Sequence, residues 1–169
     1  ACDLGIYVFV HPLPSVIDWQ RMDADDLGRT LGWEFSLMVA TLRMINGGVL
    51  DRFPDLLMQF SHFSGGIGRY LSRIRGFGTR VLWGTADNER HGRRPTHDYD
   101  HYINQRLFYD CAGWVGPMDA ARQGIEWIEY GLTEVAASQV VFATDYPQAV
   151  RSDQECKEYT DAVRALGEV

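Results

Sequence analysis

Three short apolar runs in this chain each lead into a residue that can bind a proton or a metal, and that pattern restricts the fold more than any other feature. Ile6-Tyr7-Val8-Phe9-Val10 stops at His11, Leu56-Leu57-Met58-Gln59-Phe60 leads through Ser61 into His62, and Gln139-Val140-Val141-Phe142-Ala143-Thr144 stops at Asp145. Ile6 to Val10 is wholly apolar, β-branched and aromatic, the pattern of a strand buried on both faces of a parallel sheet. In parallel α/β proteins the chemistry sits at the carboxyl ends of the strands. Taken alone, His11 reads as a satisfied histidine beside a proline turn, and Asp145 as an acceptor of N–H groups in the Tyr146-Pro147 turn. Gly65-Gly66 alone reads as a tight turn. Three such residues at equivalent strand ends require a common explanation.

The segments between the runs are helical or irregular. His11-Pro12 ends the first strand, because proline has no N–H for the ladder and pushes its predecessor out of the helical region. Leu13 to Gly32 holds Pro14 and the acidic group Asp23, Asp25 and Asp26, and reads as a loop with one helical turn. Glu34 to Asp51 is the clearest helix, with Phe35, Met38, Val39, Leu42, Ile45 and Val49 forming one apolar stripe. Further helices are expected from about Ile67 to Arg75, from Met118 to Tyr130 and from Asp153 to Leu166, the last turning Cys156, Tyr159, Val163 and Leu166 inward. A glycine- and arginine-rich surface excursion is expected over residues 76 to 95, and a further strand over Leu107-Phe108-Tyr109-Asp110-Cys111-Ala112. The alternation of strand and helix predicts parallel strands with helical crossovers. Ala1-Cys2-Asp3-Leu4-Gly5 reads like the last turn of a helix closed by a glycine.

Composition narrows the function. A net charge of −7 with scattered arginines argues against nucleic acid as a partner. No apolar run is long enough to span a bilayer, so a membrane is not an expected partner either. Cys2, Cys111 and Cys156 are odd in number and far apart, which fits a reducing compartment, and a cytoplasmic location is expected. Two histidines and an aspartate at one rim are the donor types that hold a divalent metal and activate its water.

Val10-His11-Pro12, Ser61-His62-Phe63-Ser64-Gly65-Gly66 and Ala143-Thr144-Asp145-Tyr146-Pro147 resemble, in order and spacing, three signatures of the amidohydrolase superfamily. The likeness is strongest to its aminocarboxymuconate-semialdehyde-decarboxylase-like metal enzymes, to which Asn46-Gly47-Gly48-Val49-Leu50-Asp51-Arg52-Phe53-Pro54-Asp55-Leu56 is also similar. The resemblance implies an α/β fold of TIM type, with this chain supplying strands five to eight of a (β/α)8 barrel. It implies His11 as a metal ligand, His62 as an acid–base or orienting group beside the metal water, and Asp145 as a ligand of the metal or its water. Arg73 matches the arginine that holds a substrate carboxylate, in some members across a subunit interface, with Arg69 the second choice. The implied cofactor is a divalent metal, Zn²⁺ first and Mn²⁺ as the alternative.

The sequence holds no His-x-His or equivalent opening motif, so residues 1–169 are expected to be one unit, the C-terminal half of such a barrel without its N-terminal half. The usual glycine-rich turn after the histidine here carries Phe63, a large ring expected to alter the pocket. Trp33, after His11, is a candidate for the pocket mouth, while Trp19, Trp83, Trp114 and Trp127 read as core or interface anchors. His97 and His101, with Asp98 and Asp100, read as a solvated or packing helix, and His91 with Arg90, Arg93 and Arg94 as a charged loop. The expected function is metal-dependent, non-oxidative decarboxylation of a small aromatic or unsaturated carboxylic acid. The alternatives are a metal-dependent hydrolase of a lactone or amide, and a catalytically incomplete half barrel. The expected partners are that small acid and further copies of the chain in a dimer or larger oligomer.

Overall fold

The computed structural model describes residues 1–13, 22, 24–79, 95–113 and 123–167. Four strands, β1 (Val8–Val10), β2 (Met58–Phe60), β3 (Leu107–Asp110) and β4 (Val140–Val141), form one parallel sheet in sequence order. Val10 is level with Phe60, Phe60 with Tyr109 and Tyr109 with Val140, so all four strands end at one rim. The crossovers are α1 (Trp33–Asn46) with the short α2 (Val49–Arg52), then α3 (His62–Gly66) with α4 (Leu71–Thr79) and α5 (Tyr99–His101), then α6 (Gln123–Glu134). After β4 comes α7 (Asp153–Leu166), which turns Tyr159 into the core with Cys156, Val163 and Leu166 packed beside it, as expected.

The strand period of two divides the residues between two faces. Met58, Phe60, Leu107 and Tyr109 are buried in a core with Leu37 and Ile45 of α1, Ile125 and Ile128 of α6 and Tyr159 of α7. Phe9, Gln59, Phe108 and Asp110 belong to the opposite face, and Phe9 there is 48% exposed. The sequence predicted burial on both faces. Among the described residues four strands do not close a barrel, and the inward face has no opposite wall.

Helix α1 also departs from its predicted stripe. It buries Ser36, Leu37, Thr41 and Ile45, while Val39 is exposed. Ile45 of the predicted stripe is buried and Met38 and Leu42 pack partly against the core, and with Phe35 these two also line an apolar groove of about 430 Å³ with Ile67, Ile74 and Phe77. Burial of the polar face is possible because Ser36 and Thr41 donate their hydroxyls to the carbonyls of Gly32 and Leu37, one turn back. The expected loop before this helix ends early: Gly28–Gly32 forms a wide turn, closed by the Trp33 N–H on the Gly28 carbonyl, that runs straight into α1.

Helix α4 runs on to Thr79, past the predicted start of the surface excursion, and α6 ends at Glu134 rather than Tyr130. The expected start of α6 at Met118, the charged loop around His91, and Trp19, Trp83 and Trp114 lie outside the described residues. Cys2–Leu4 makes the expected terminal turn, with Gly5 left-handed. The three cysteines are free thiols. Among the described residues no helix is long and apolar enough to cross a membrane.

Candidate functional site

The β2 ladder continues through Ser61, whose N–H donates to the Val10 carbonyl at 3.1 Å, and then the backbone reverses hand. From His62 to Gly66 every residue has φ between 49° and 75°, so α3 is a single left-handed turn. Left-handed backbone costs about 1–2 kcal/mol for each residue with a Cβ, so His62, Phe63 and Ser64 must be held there by their surroundings. Asp110, at the end of β3, accepts the His62 N–H at 2.9 Å and the Ala112 N–H at 3.2 Å. The Ser64 hydroxyl meets that of Thr41 on α1. Phe63 is buried beside Trp127, and a Cβ on Gly131 of α6 would lie 2.5 Å from its ring. The ring next to His62 therefore fills the core beneath α6 instead of reshaping the pocket.

The imidazole of His62 is buried, with Nδ1 2.9 Å from Oε1 of Glu34 at the start of α1. Burial opposes its protonation, but the Glu34 hydrogen bond and charge, with Asp110 and Asp145 behind them, outweigh burial and raise its pKa above the ordinary value. Its Nε2 is buried without a hydrogen-bond partner, as are Oε2 of Glu34 and Nε1 of Trp33. Orphaned polar atoms are uncommon in folded proteins, and three on neighbouring side chains mark a place built to receive something.

The other two strand-end residues reach the same spot. His11 Nε2 lies 4.0 Å from Asp145 Oδ1, and the His11 and His62 rings meet edge to face at 5.6 Å. One donor atom from each of His11, His62 and Asp145 lies within 4.8 Å of the others, the one such group among the described residues. Asp145 is itself left-handed, with φ 52°, and its carbonyl accepts the N–H groups of Gln148 and Ala149. The Tyr146 N–H goes to the Thr144 hydroxyl, so the turn before the cis Tyr146-Pro147 peptide does not use the Asp145 carboxylate.

The remaining sequence candidates lie elsewhere. Arg73 is exposed on α4 with its guanidinium 4.8 Å over the Phe77 ring, and no described contact joins it to the three donors. Arg69 is exposed and pairs with Glu134 at 3.5 Å. Trp33 opens α1 beside Glu34, half-buried. His97 and His101 stack with ring centres 4.3 Å apart, but the expected helix begins only at Tyr99, with Asp98 capping the His101 N–H, so His97 precedes it.

Two partners of His62 were not picked out by the sequence analysis. Asp110 ends the run Leu107-Phe108-Tyr109 by the same rule that picked out the other strand ends, so its signal was present. Glu34 had none, because it meets His62 only through the docking of α1 on α3.

No protein-family model matches the sequence, and no curated protein matches it. Solved structures do. A 5-carboxyvanillate decarboxylase from Novosphingobium aromaticivorans, complexed with manganese and 4-hydroxy-3-methoxy-5-nitrobenzoic acid, is similar at a TM-score of 0.70 and 18% identity over 97% of this chain and 42% of that one. The enzyme of the same name from Sphingomonas paucimobilis gives 0.67 and 19% identity over 87% of this chain and 41% of that one. A 2,6-dihydroxybenzoate decarboxylase from Rhizobium gives 0.64 and 21% identity over 86% and 42%. The chain has the fold of these decarboxylases. It spans less than half of their length, so the expected TIM-type half barrel is what these residues form.

Proposed function

We propose that this chain supplies strands five to eight of a metal-dependent, amidohydrolase-type decarboxylase that removes CO₂ from a small aromatic or unsaturated carboxylic acid without redox change. The observation that carries this reading is the convergence of His11, His62 and Asp145 within 4.8 Å at the rim of a parallel sheet. Its fold, shared with two kinds of benzoate decarboxylase, supports it.

Two imidazoles and a carboxylate suit a divalent cation, and the bare, buried Nε2 of His62 fits a site that receives one. His11 and Asp145 would hold the ion with His62 beside it. Such an ion polarises substrate oxygens and offsets developing negative charge. Zn²⁺ is the first expectation from donor type. The manganese in the Novosphingobium structure makes Mn²⁺ the ion to add first.

The chain's own residues supply the proton chemistry. As the bond to the carboxyl carbon breaks, CO₂ leaves and the electron pair stays on the substrate carbon, which takes a proton from His62 Nε2. Trp33, whose indole N–H is buried without a hydrogen-bond partner, would stand at the pocket mouth. The exposed position of Arg73 suits a carboxylate held in a neighbouring copy better than one in its own site, and Arg69, tied to Glu134, is the second choice.

The test is CO₂ release from hydroxybenzoate-type acids by Mn²⁺-loaded and chelator-stripped protein. Loaded protein is expected to release CO₂, stripped protein none, and His62→Asn to lose roughly 10²- to 10⁴-fold in kcat. Full activity in His62→Asn would sink the proton-transfer role. Ring opening of lactones without CO₂ release would make the protein a hydrolase, and bound metal with neither reaction an incomplete half barrel.

A further inference from the structure

Glu34 is the carboxylate joined to the His62 ring, and nothing in the strand-end pattern accounts for it. We infer that Glu34 is a positioning residue: it keeps a hydrogen on Nδ1 of His62, so that the ring exchanges protons with the site through Nε2 alone. The proposal rests on the decarboxylase reading for the reaction served, but its geometry stands apart from it.

The arrangement fixes His62 from two directions. Asp110 on β3 takes the main-chain N–H at 2.9 Å, and Glu34 on α1 takes the ring Nδ1 at 2.9 Å. With Nδ1 so engaged, Nε2 is what His62 has left to offer to His11 and Asp145. The close approach of Glu34 is built into the backbone. A Cβ on Gly65 would lie 2.1 Å from the Glu34 carbonyl oxygen, so α1 reaches this turn only because a glycine stands there. On the other side a Cβ on Gly113 would lie 2.9 Å from His62 Cγ, so the ring occupies its place only because that position too is a glycine.

A pair retained for stability alone does not explain these facts. Buried ion pairs contribute little net stability, because desolvation consumes most of the attraction. A structural pair would also have its remaining polar atoms satisfied, whereas Nε2 of His62 and Oε2 of Glu34 are both buried and bare. The turn that carries His62 is conformationally costly as well.

The test reads the ring directly. In metal-free protein with ¹⁵N-labelled histidine, at alkaline pH where imidazoles are neutral, His62 is expected to be a single tautomer protonated at Nδ1. In Glu34→Gln the side-chain amide can donate to Nδ1, so the tautomer is expected to become mixed or to reverse. With Mn²⁺ and the decarboxylation substrate, kcat is expected to fall about 10- to 100-fold, the usual scale for partners behind the reacting residue, with KM within about twofold. An unchanged Nδ1–H tautomer in Glu34→Gln would overturn the proposal, whatever happened to kcat. So would a mixed or Nε2–H tautomer in the wild-type protein, a result that needs no variant to fold. A tautomer that is locked in the wild type and lost in the variant, in a protein that releases no CO₂, would support the positioning role while sinking the decarboxylase reading.

Discussion

At the scale of single residues, the site depends on side chains that are absent. Gly113 has φ 106°, a region that L side chains rarely adopt, and an added methyl would press on His62 Cγ at 2.9 Å and Cβ at 3.0 Å. Gly113→Ala is therefore expected to cost about 1–3 kcal/mol in a denaturant titration and, for the proposed decarboxylation, to lower kcat by displacing the ring. Gly5→Ala is the control: φ is 61°, but nothing lies within 4 Å of the added methyl, so the backbone alone costs about 1–2 kcal/mol and activity is unchanged. Equal kcat losses in the two variants would show that contact with His62 is not the cause. The same contrast explains what the sequence revealed. His11, His62 and Asp145 were legible because a strand period and a breaker place a residue at a rim by local rules. Glu34 was not, because it meets His62 across 28 positions through a close approach that no periodicity encodes.

At the scale of elements, the order of strands and helices was legible throughout, and the faces were not. The apolar stripe of α1 was read as its buried side, yet the helix buries Ser36 and Thr41, because polar side chains that satisfy themselves on their own backbone can face the α3 turn. Another polar tie secures the route into β3. Asp51 on α2 accepts the Tyr102 hydroxyl at 2.5 Å and the Thr96 hydroxyl at 2.8 Å, with the Thr96 N–H at 3.2 Å. Partial burial opposes ionisation of Asp51, but these hydrogen bonds outweigh it and hold the pKa below the ordinary 3.8. A carboxylate depressed in the folded state contributes stability above its unfolded pKa, and that contribution is lost as pH falls through the folded value. Asp51→Asn is thus expected to cost about 1 kcal/mol at neutral pH, and to flatten the decline in urea midpoint that the wild type shows below about pH 4. Midpoints of the two proteins that ran parallel down to pH 3, on the order of one unit below the ordinary aspartate value, would rule out Asp51 as a source of that decline.

At the scale of the whole molecule, the site and the open sheet are one problem. His11 follows β1 and Asp145 follows β4, the two outer strands, yet their donor atoms lie 4.0 Å apart. In a flat sheet three strand spacings would separate those strands by about 14 Å, so the chain must curl toward closure to bring the pair together. That curl leaves apolar surface uncovered: Ile6, Tyr7, Phe9, Leu57 and Phe142 are each about half exposed, and β1 and β4 each have an edge without a strand partner among the described residues. Edges and apolar patches of this kind drive association. The 169 residues by themselves are expected to sediment above the 19.2 kDa of one chain and to do so increasingly with concentration. Phe9→Ser combined with Leu57→Ser, both on the Gln59 face of the sheet, is expected to shift the distribution toward monomer while the far-ultraviolet circular dichroism stays the same. A wild-type chain that remained monomeric at every concentration would mean that the inward face does not drive association, and that the meeting of His11 with Asp145 needs no second set of strands to sustain it.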